Sequence, residues 1–257
     1  MSTQAYLERA RQAGLLDEIL GHQYVADKYD DPVSGRPQLL VEYCDPGLPG
    51  NPEALDALRD RLRERHGQAE AVLLRVPDGV PLPQPWRPRF TYVRHDRRPD
   101  PAPADPVVRV RAARPADATL VRDWLVQAFR NAYPGQEVDA EHSGIADTMA
   151  NHGRLSFIAE VAGEPVGHGT VLTDERDEVT GEAFAELVDI LIDDAEHRRA
   201  ATSALVAAIA DATGERRLCG HVVHPHEPAA ARQADTVLQS LLRSGWSVDH
   251  AFWESTW

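Results

Sequence analysis

Three histidines fall within His221-Val-Val-His224-Pro-His226, and imidazole is the side chain whose unperturbed pKa lies nearest neutrality. Proton transfer is the chemistry such a segment is equipped for. His224 is the first candidate for it, with His221 and His226 as substrate contacts. A metal would need further ligands in fixed geometry, which the spacing does not supply, so none is expected. Upstream, the apolar run 184–192 leads through a short turn into helical periodicity over 195–212. A strand feeding a helix in this way presents free first-turn N–H groups that suit a pyrophosphate, and Arg198 and Arg199 add positive charge beside them. Within the run, strict alternation puts Glu186, Val188, Ile190 and Ile192 on one side and Asp189 on the other.

Other residues carry weaker chemistry. His168 in Gly167-His-Gly169 reads as a β-bulge. Tyr133 in Asn131-Ala-Tyr-Pro-Gly135 sits in turn chemistry. Arg87, Arg89, Arg94, Arg97 and Arg98 interleave with Trp86, Phe90 and Tyr92, a combination able to stack on nucleic acid, although a solvated strand face has the same pattern. The chain has 257 residues, 27 of them basic and 41 acidic, for a net charge of −14. That balance opposes a phosphate backbone as partner. Two distant cysteines give no disulfide framework, and no apolar run is long enough to cross a bilayer, so a cytoplasmic protein with no membrane partner is expected. Oligomeric state is left open.

The elements that must position these residues divide at the proline-rich stretch 98–106, read as a linker between a small α/β unit over 1–97 and a second unit over 107–257. The first unit is expected to have a helix over 3–20, a strand at 38–43, a helix over 52–66 capped by Asn51 and Pro52, and strands at 71–76 and 89–94. The second reads as a strand at 107–111, a helix from 114 to about 129, strands at 155–161, 166–173 and 184–192, the helix 195–212, a strand at 218–223, a helix over 229–244 and a strand at 248–254. The fold class is α/β, an α+β arrangement on a mixed sheet.

That order, with Val108-Arg-Val-Arg-Ala-Ala-Arg-Pro-Ala-Asp117, the hairpin Phe157-Ile-Ala-Glu-Val-Ala-Gly-Glu-Pro-Val-Gly167, Phe184-Ala-Glu-Leu with Ile192-Asp-Asp-Ala-Glu-His-Arg-Arg-Ala-Ala-Thr-Ser-Ala-Leu205, and Leu241-Leu-Arg-Ser-Gly-Trp246, resembles the GNAT N-acetyltransferase superfamily over 107–257. The resemblance implies acyl transfer from a coenzyme A thioester, most simply acetyl-coenzyme A, to an amine of a small molecule. It makes Glu186 the general base. It assigns the donor to the backbone of Ile190 and Ile192 and to the loop His197, Arg198, Arg199, Ala200, Ala201, Thr202 and Ser203, and it puts Tyr133 at the border of the acceptor site. Two departures stand out: the loop lacks the family's glycines, and Leu241 and Ala234 replace the tyrosine acid and its asparagine, which is why His224 is considered as acid. The family also contains tandem members, so 1–97 is compatible with a degenerate half-copy, although no repeat is visible residue by residue. Two alternatives follow from the departures: an unusual donor such as aminoacyl-tRNA, or a non-catalytic ligand-binding module.

Overall fold

Asn51 accepts the Ala54 N–H and Pro52 takes the first helical position, so a helix starts there and turns Leu55, Leu58 and Leu62 onto the sheet. The computed structural model describes residues 2–77, 80–95 and 107–257; the expected linker at 98–106 lies outside them. Before it come α1 (Thr3–Gln12), β1 (Leu16–Ile19), β2 (His22–Asp30), β3 (Pro37–Cys44), α2 (Pro52–Arg65), β4 (Ala71–Pro77) and β5 (Arg87–His95). The helix expected to reach residue 20 stops at Gln12. Gly14 adopts φ 72°, a conformation glycine takes without steric cost, and the chain reverses so that Leu16–Ile19 pair with β2.

After the linker come β6 (Val108–Ala112), α3 (Ala118–Ala132), α4 (Ser143–Ala150), β7 (Arg154–Val161), β8 (Glu164–Arg176), β9 (Ala183–Ile192), α5 (Arg198–Thr213), β10 (Arg217–Val223), α6 (Pro228–Arg243) and β11 (Trp246–Thr256). The eleven strands form one mixed sheet in the order β1-β2-β3-β4-β11-β5-β10-β9-β8-β7-β6. Only β3 with β4 and β9 with β10 run parallel. The α/β class and mixed sheet are as the sequence implies; β1, β2 and α4 are additions. Helices α5 and α6 pack on one face against Leu218, Val93 and Trp246, while α3 and α4 pack on the other against Val188.

The sheet runs continuously across the division expected at the linker. β5 lies between β11 and β10, and β11 lies between β4 and β5, so each parallel pair is extended by a strand from the other side of the linker. The two parts also repeat one another. β3 and β9 start at Pro37 and Ala183, α2 and α5 at Pro52 and Arg198, β4 and β10 at Ala71 and Arg217, each pair 146 positions apart. The parallel pairs cover matching registers, Gln38↔Ala71 to Val41↔Leu74 and Phe184↔Arg217 to Leu187↔Gly220. The turns before them match in residue type: Asp31-Pro-Val-Ser-Gly35 and Asp177-Glu-Val-Thr-Gly181. In each the aspartate Oδ1 accepts the N–H groups two and three residues on.

Beyond those registers the strands of each pair diverge, and the two divergences are treated differently. In the first, the Cys44 thiol donates to the Arg75 carbonyl at 3.6 Å, and Leu48, Leu55, Leu58, Leu82 and Trp86 fill the space as a closed apolar core. Trp86 is 2% exposed, so it is unavailable for the base stacking considered from the sequence. Replacing Trp86 with alanine should cost about 3–5 kcal/mol, the usual range for emptying a large aromatic site; chemical denaturation of the variant checks this.

Candidate active site

The second divergence is open. After Leu187↔Gly220, β9 and β10 separate, and a cleft of about 1440 Å³ occupies the gap, bounded by Leu187–Leu191, Gly220–Val223, the α5 residues Thr202 and Ser203, and Tyr133. Its lining includes residues from both faces of the sheet, so it passes through it. Ligand pockets usually enclose about 300–1,000 Å³, and this cleft has room for a large donor together with an acceptor.

A register break shapes the cleft wall. Thr170 pairs with Asp189 and Val171 with Leu187, so Val188 is the extra residue of a bulge in β9. The alternation expected from the sequence is overturned there. Leu187 packs toward α5, Val188 packs with α3 and α4, and Ile190 and Ile192 pack with α5. Glu186, Val188 and Asp189 therefore share the α3 side, and Ile190 and Ile192 face away from them. Ile190 and Ile192 pair with β8 on one edge; their other edge borders the gap. The bulge expected at His168 is also displaced. Residues 167–169 pair regularly with both neighbours, and the break toward β7 lies at Val166. The glycines answer to close approach, since a Cβ on Gly167 would stand 2.4 Å from the Leu191 carbonyl. His168 is fully buried, stacked on Trp124 at 5.3 Å, with Nε2 2.8 Å from Asp189 Oδ2. Trp124 in turn donates to Asp193 at 2.8 Å, so α3 fixes both the bulge and the loop entering α5.

That loop is an ordered turn. Asp194 accepts the N–H groups of Glu196 and His197 and bonds the His197 ring at 2.8 Å. The hydrogen bonds to His197 hold its carboxyl below the usual range. The Ala201 N–H goes to the His197 carbonyl, leaving the first-turn N–H groups of Arg198, Arg199 and Ala200 directed out of the helix start. The missing glycines bring no strain, because among the described residues only Leu20 and Ala162 combine a side chain with positive φ. Ala201 is fully buried, whereas Arg198, Arg199 and Ser203 are exposed.

On the α3 side, Glu186 Oε1 stands 3.4 Å from His221 Nδ1, both about one-fifth exposed. Tyr133 lies under the Arg89 guanidinium at 5.6 Å and borders the cleft; burial raises its phenol pKa, so it is protonated at neutral pH. The structure does not bring His224 to this group. Its ring bonds the Thr91 hydroxyl at 2.9 Å and faces Asp235 of α6, whereas Tyr92, the next residue on β5, lies tilted against His221 on the opposite face. Burial lowers the His224 pKa. His226 is half-exposed and bonds Glu254 at 2.7 Å. Cys219, in register with Glu186, is no thiolate: burial pushes its pKa up to about 11. Leu241 and Ala234 line the cleft where the resemblance implies a tyrosine and an asparagine. Arg89 is paired with Asp31 and Arg94 with Asp249, while Arg97 and Arg98 lie outside the described residues. Among the described residues no three His, Cys, Asp or Glu side chains are grouped to hold a metal, and no helix is long and apolar enough to cross a membrane.

Sequence reasoning missed Tyr92, His95 and His250 as neighbours of the site. They sit on β5 and β11, and pairing across the linker has no periodic signature. His95 lines the cleft and meets Trp246 edge-on at 5.0 Å.

Residues 118–232, which include the splayed parallel pair, the bulged strand and the helix α5, match the acetyltransferase (GNAT) family model. This stretch is a GNAT-family acyltransferase domain, and the family generally uses acyl-coenzyme A. Among solved structures, a GCN5-related N-acetyltransferase from Sphaerobacter thermophilus is 13% identical with TM-score 0.52, over 91% of this chain and 76% of that one. A functionally unknown conserved protein from Staphylococcus epidermidis is 10% identical with TM-score 0.52, over 87% and 85%. Both are likenesses of fold. No curated protein matches the sequence.

Asp249 ties the centre of the sheet together, bonded by His250 and flanked by Arg217 and Arg94. The His250 hydrogen bond leads in holding its carboxyl down to about 2, against partial desolvation. A depressed carboxylate stabilises the fold fully above its unfolded pKa of about 3.9, and the contribution is lost as pH falls through the folded value. The melting temperature should therefore fall between about pH 4 and 2, and Asp249→Asn should flatten that fall while lowering stability at neutral pH; thermal melts across pH check it.

Proposed function

We propose that the protein transfers an acyl group, most simply acetyl, from a coenzyme A thioester to the amine of a small molecule, with the donor on the α5 side of the cleft and the acceptor on the α3 side. The observation that carries this reading is the passage through the sheet between β9 and β10. The donor's pyrophosphate suits the free N–H groups of Arg198, Arg199 and Ala200 and the exposed arginine side chains. The unpaired edge of β9 at Ile190 and Ile192 suits the amides of an extended pantetheine arm. Bound there, the thioester supplies an activated acyl carbon and a thiolate leaving group.

Glu186, assisted by His221, takes a proton from the acceptor ammonium, which frees the nitrogen lone pair. The amine nitrogen then bonds the acyl carbon as the carbon–sulfur bond breaks. The bulge at Val188 offers a backbone N–H to the carbonyl oxygen as its charge develops. The second proton lost by the nitrogen balances the departing thiolate; with Leu241 in place of an acid, water reaching the roomy cleft delivers it. The fold's repeat further supports reading the chain as a tandem of two related halves, the first with its divergence closed by Trp86 and Cys44. Since the cofactor turn is unstrained without glycine, its sequence gives no reason to look to another donor.

Calorimetric titration should show coenzyme A binding in the micromolar range. Glu186→Gln should leave that affinity unchanged and lower turnover of an amine acceptor by about 10²–10⁴-fold. Absence of coenzyme A binding, or full turnover in Glu186→Gln, would sink the reading or its base respectively.

A further inference from the structure

The α5 side of the cleft is deeper than the separation of β9 from β10 alone requires. The two strands are still paired at Leu187↔Gly220, yet the lining continues past that pair to Val93 and His95 of β5 and to Trp246 at the start of β11. Gly220 lies opposite Val93, and His95 pairs with Leu218 on one side and Trp246 on the other. The cleft therefore has a lobe that runs across the paired part of the sheet, walled by Val206 of α5 and by Val237 and Leu241 of α6.

The floor of this lobe is a missing side chain. Gly220 occupies the register position at which the first half carries the fully buried Leu74. The three nearest atoms to a Cβ on Gly220 would all belong to Leu187, at 3.4 to 3.9 Å, which is ordinary contact, and its φ is not positive. Neither packing nor backbone conformation calls for glycine there, and what its absence of a side chain leaves is room. The walls are apolar and only partly covered. Ala230, Ala234, Val237 and Leu241 form the stripe of α6 that turns to the cleft, yet Val237 is 41% exposed and Leu241 half-buried, as is Val206 across from them. Thr202 and Ser203 lie nearer the start of α5, where the donor's pyrophosphate is proposed to sit, and the apolar residues follow further along the helices.

We infer that this lobe is an acyl pocket and that the chain accepts coenzyme A thioesters of linear, medium-length acyl groups in preference to acetyl. The inference rests on the donor lying on the α5 side, as proposed above. Leu241 stands where the resemblance implies the acid that serves the thiolate, so an acyl chain extending from the thioester carbon enters the lobe beside an apolar residue in place of a phenol. Strands are spaced ~4.8 Å apart, so Gly220 and Trp246 are about 10 Å apart across β5, the span of an extended chain of roughly eight carbons. A two-carbon group is too short to reach along it. The bonds made and broken are those of the reaction above: nitrogen bonds the acyl carbon, carbon and sulfur part, and the chain travels with the acyl carbon.

Calorimetry with acetyl-, butanoyl-, hexanoyl- and octanoyl-coenzyme A tests the pocket. A buried methylene is worth about fourfold in affinity, so covering half of the six that octanoyl adds should make it bind about 60-fold tighter than acetyl-coenzyme A, with affinity rising along the series. Gly220→Ala, which raises the floor by a methyl, should cut the octanoyl-to-acetyl ratio about fourfold. Val237→Gln, at an exposed position where the fold tolerates a polar side chain, should cut it by a similar factor with little change in melting temperature. Equal affinity along the series, or a rise with length that both substitutions leave intact, would overturn the pocket while the donor site stands. Failure of all four thioesters to bind would overturn the donor reading and the pocket together.

Discussion

The antiparallel ladder between β5 and β11 is the constraint on which the rest depends. It joins two parallel-strand units that would otherwise end in unpaired edges, and an unpaired edge is a standing liability for a sheet. Because each of the two strands pairs with the parallel pair of the other half, neither half completes its sheet alone. Asp249, with Arg94, Arg217 and His250, reinforces this ladder by charge just where β5, β10 and β11 meet.

Around that ladder the two halves have taken opposite courses from the same geometry. Both have a parallel pair that diverges after four residue pairs, and both have a register break at matching positions, Glu42 and Val188. In the first half, large apolar side chains and the Cys44 thiol turn the divergence into core. In the second, Gly220 stands at the register position that Leu74 holds in the first, and a cleft lined by Leu187, Gly220, Ala234 and Leu241 results. Matching registers thus lead to a packed interior in one half and an open cleft in the other, according to the side chains that meet there.

Much of the second half was legible in the sequence because its elements are locally encoded. The strands at 155–161 and 184–192, the turn at Gly163 and the α5 helix follow from periodicity and turn residues, while Glu186 was singled out only by resemblance. What escaped has a physical reason in each case. The bulge at Val188 depends on the neighbouring strand, so alternation alone placed Glu186 and Ile190 on a common face. His22–Asp30 carries charges at positions that only its pairing with β3 explains. His224 was singled out for its type, yet its neighbours Thr91 and Asp235 come from distant segments and set it on the far face. The repeat was hidden because outside Asp-x-Val-Ser/Thr-Gly the halves share geometry, not residues.

The strand exchange also bears on how the molecule is made. A ribosome delivers β4 and β5 well before β11, whose ladder partners lie some 150 to 180 positions back in the chain. During that interval β4 has no neighbour on one side, and the central rings of β5 face water. Contacts so distant in sequence form slowly, because closing the intervening loop costs entropy before any pairing repays it. The last strand thus acts as the keystone of synthesis: until it inserts, the nascent protein presents two open edges, and once it does, both halves close in a single step.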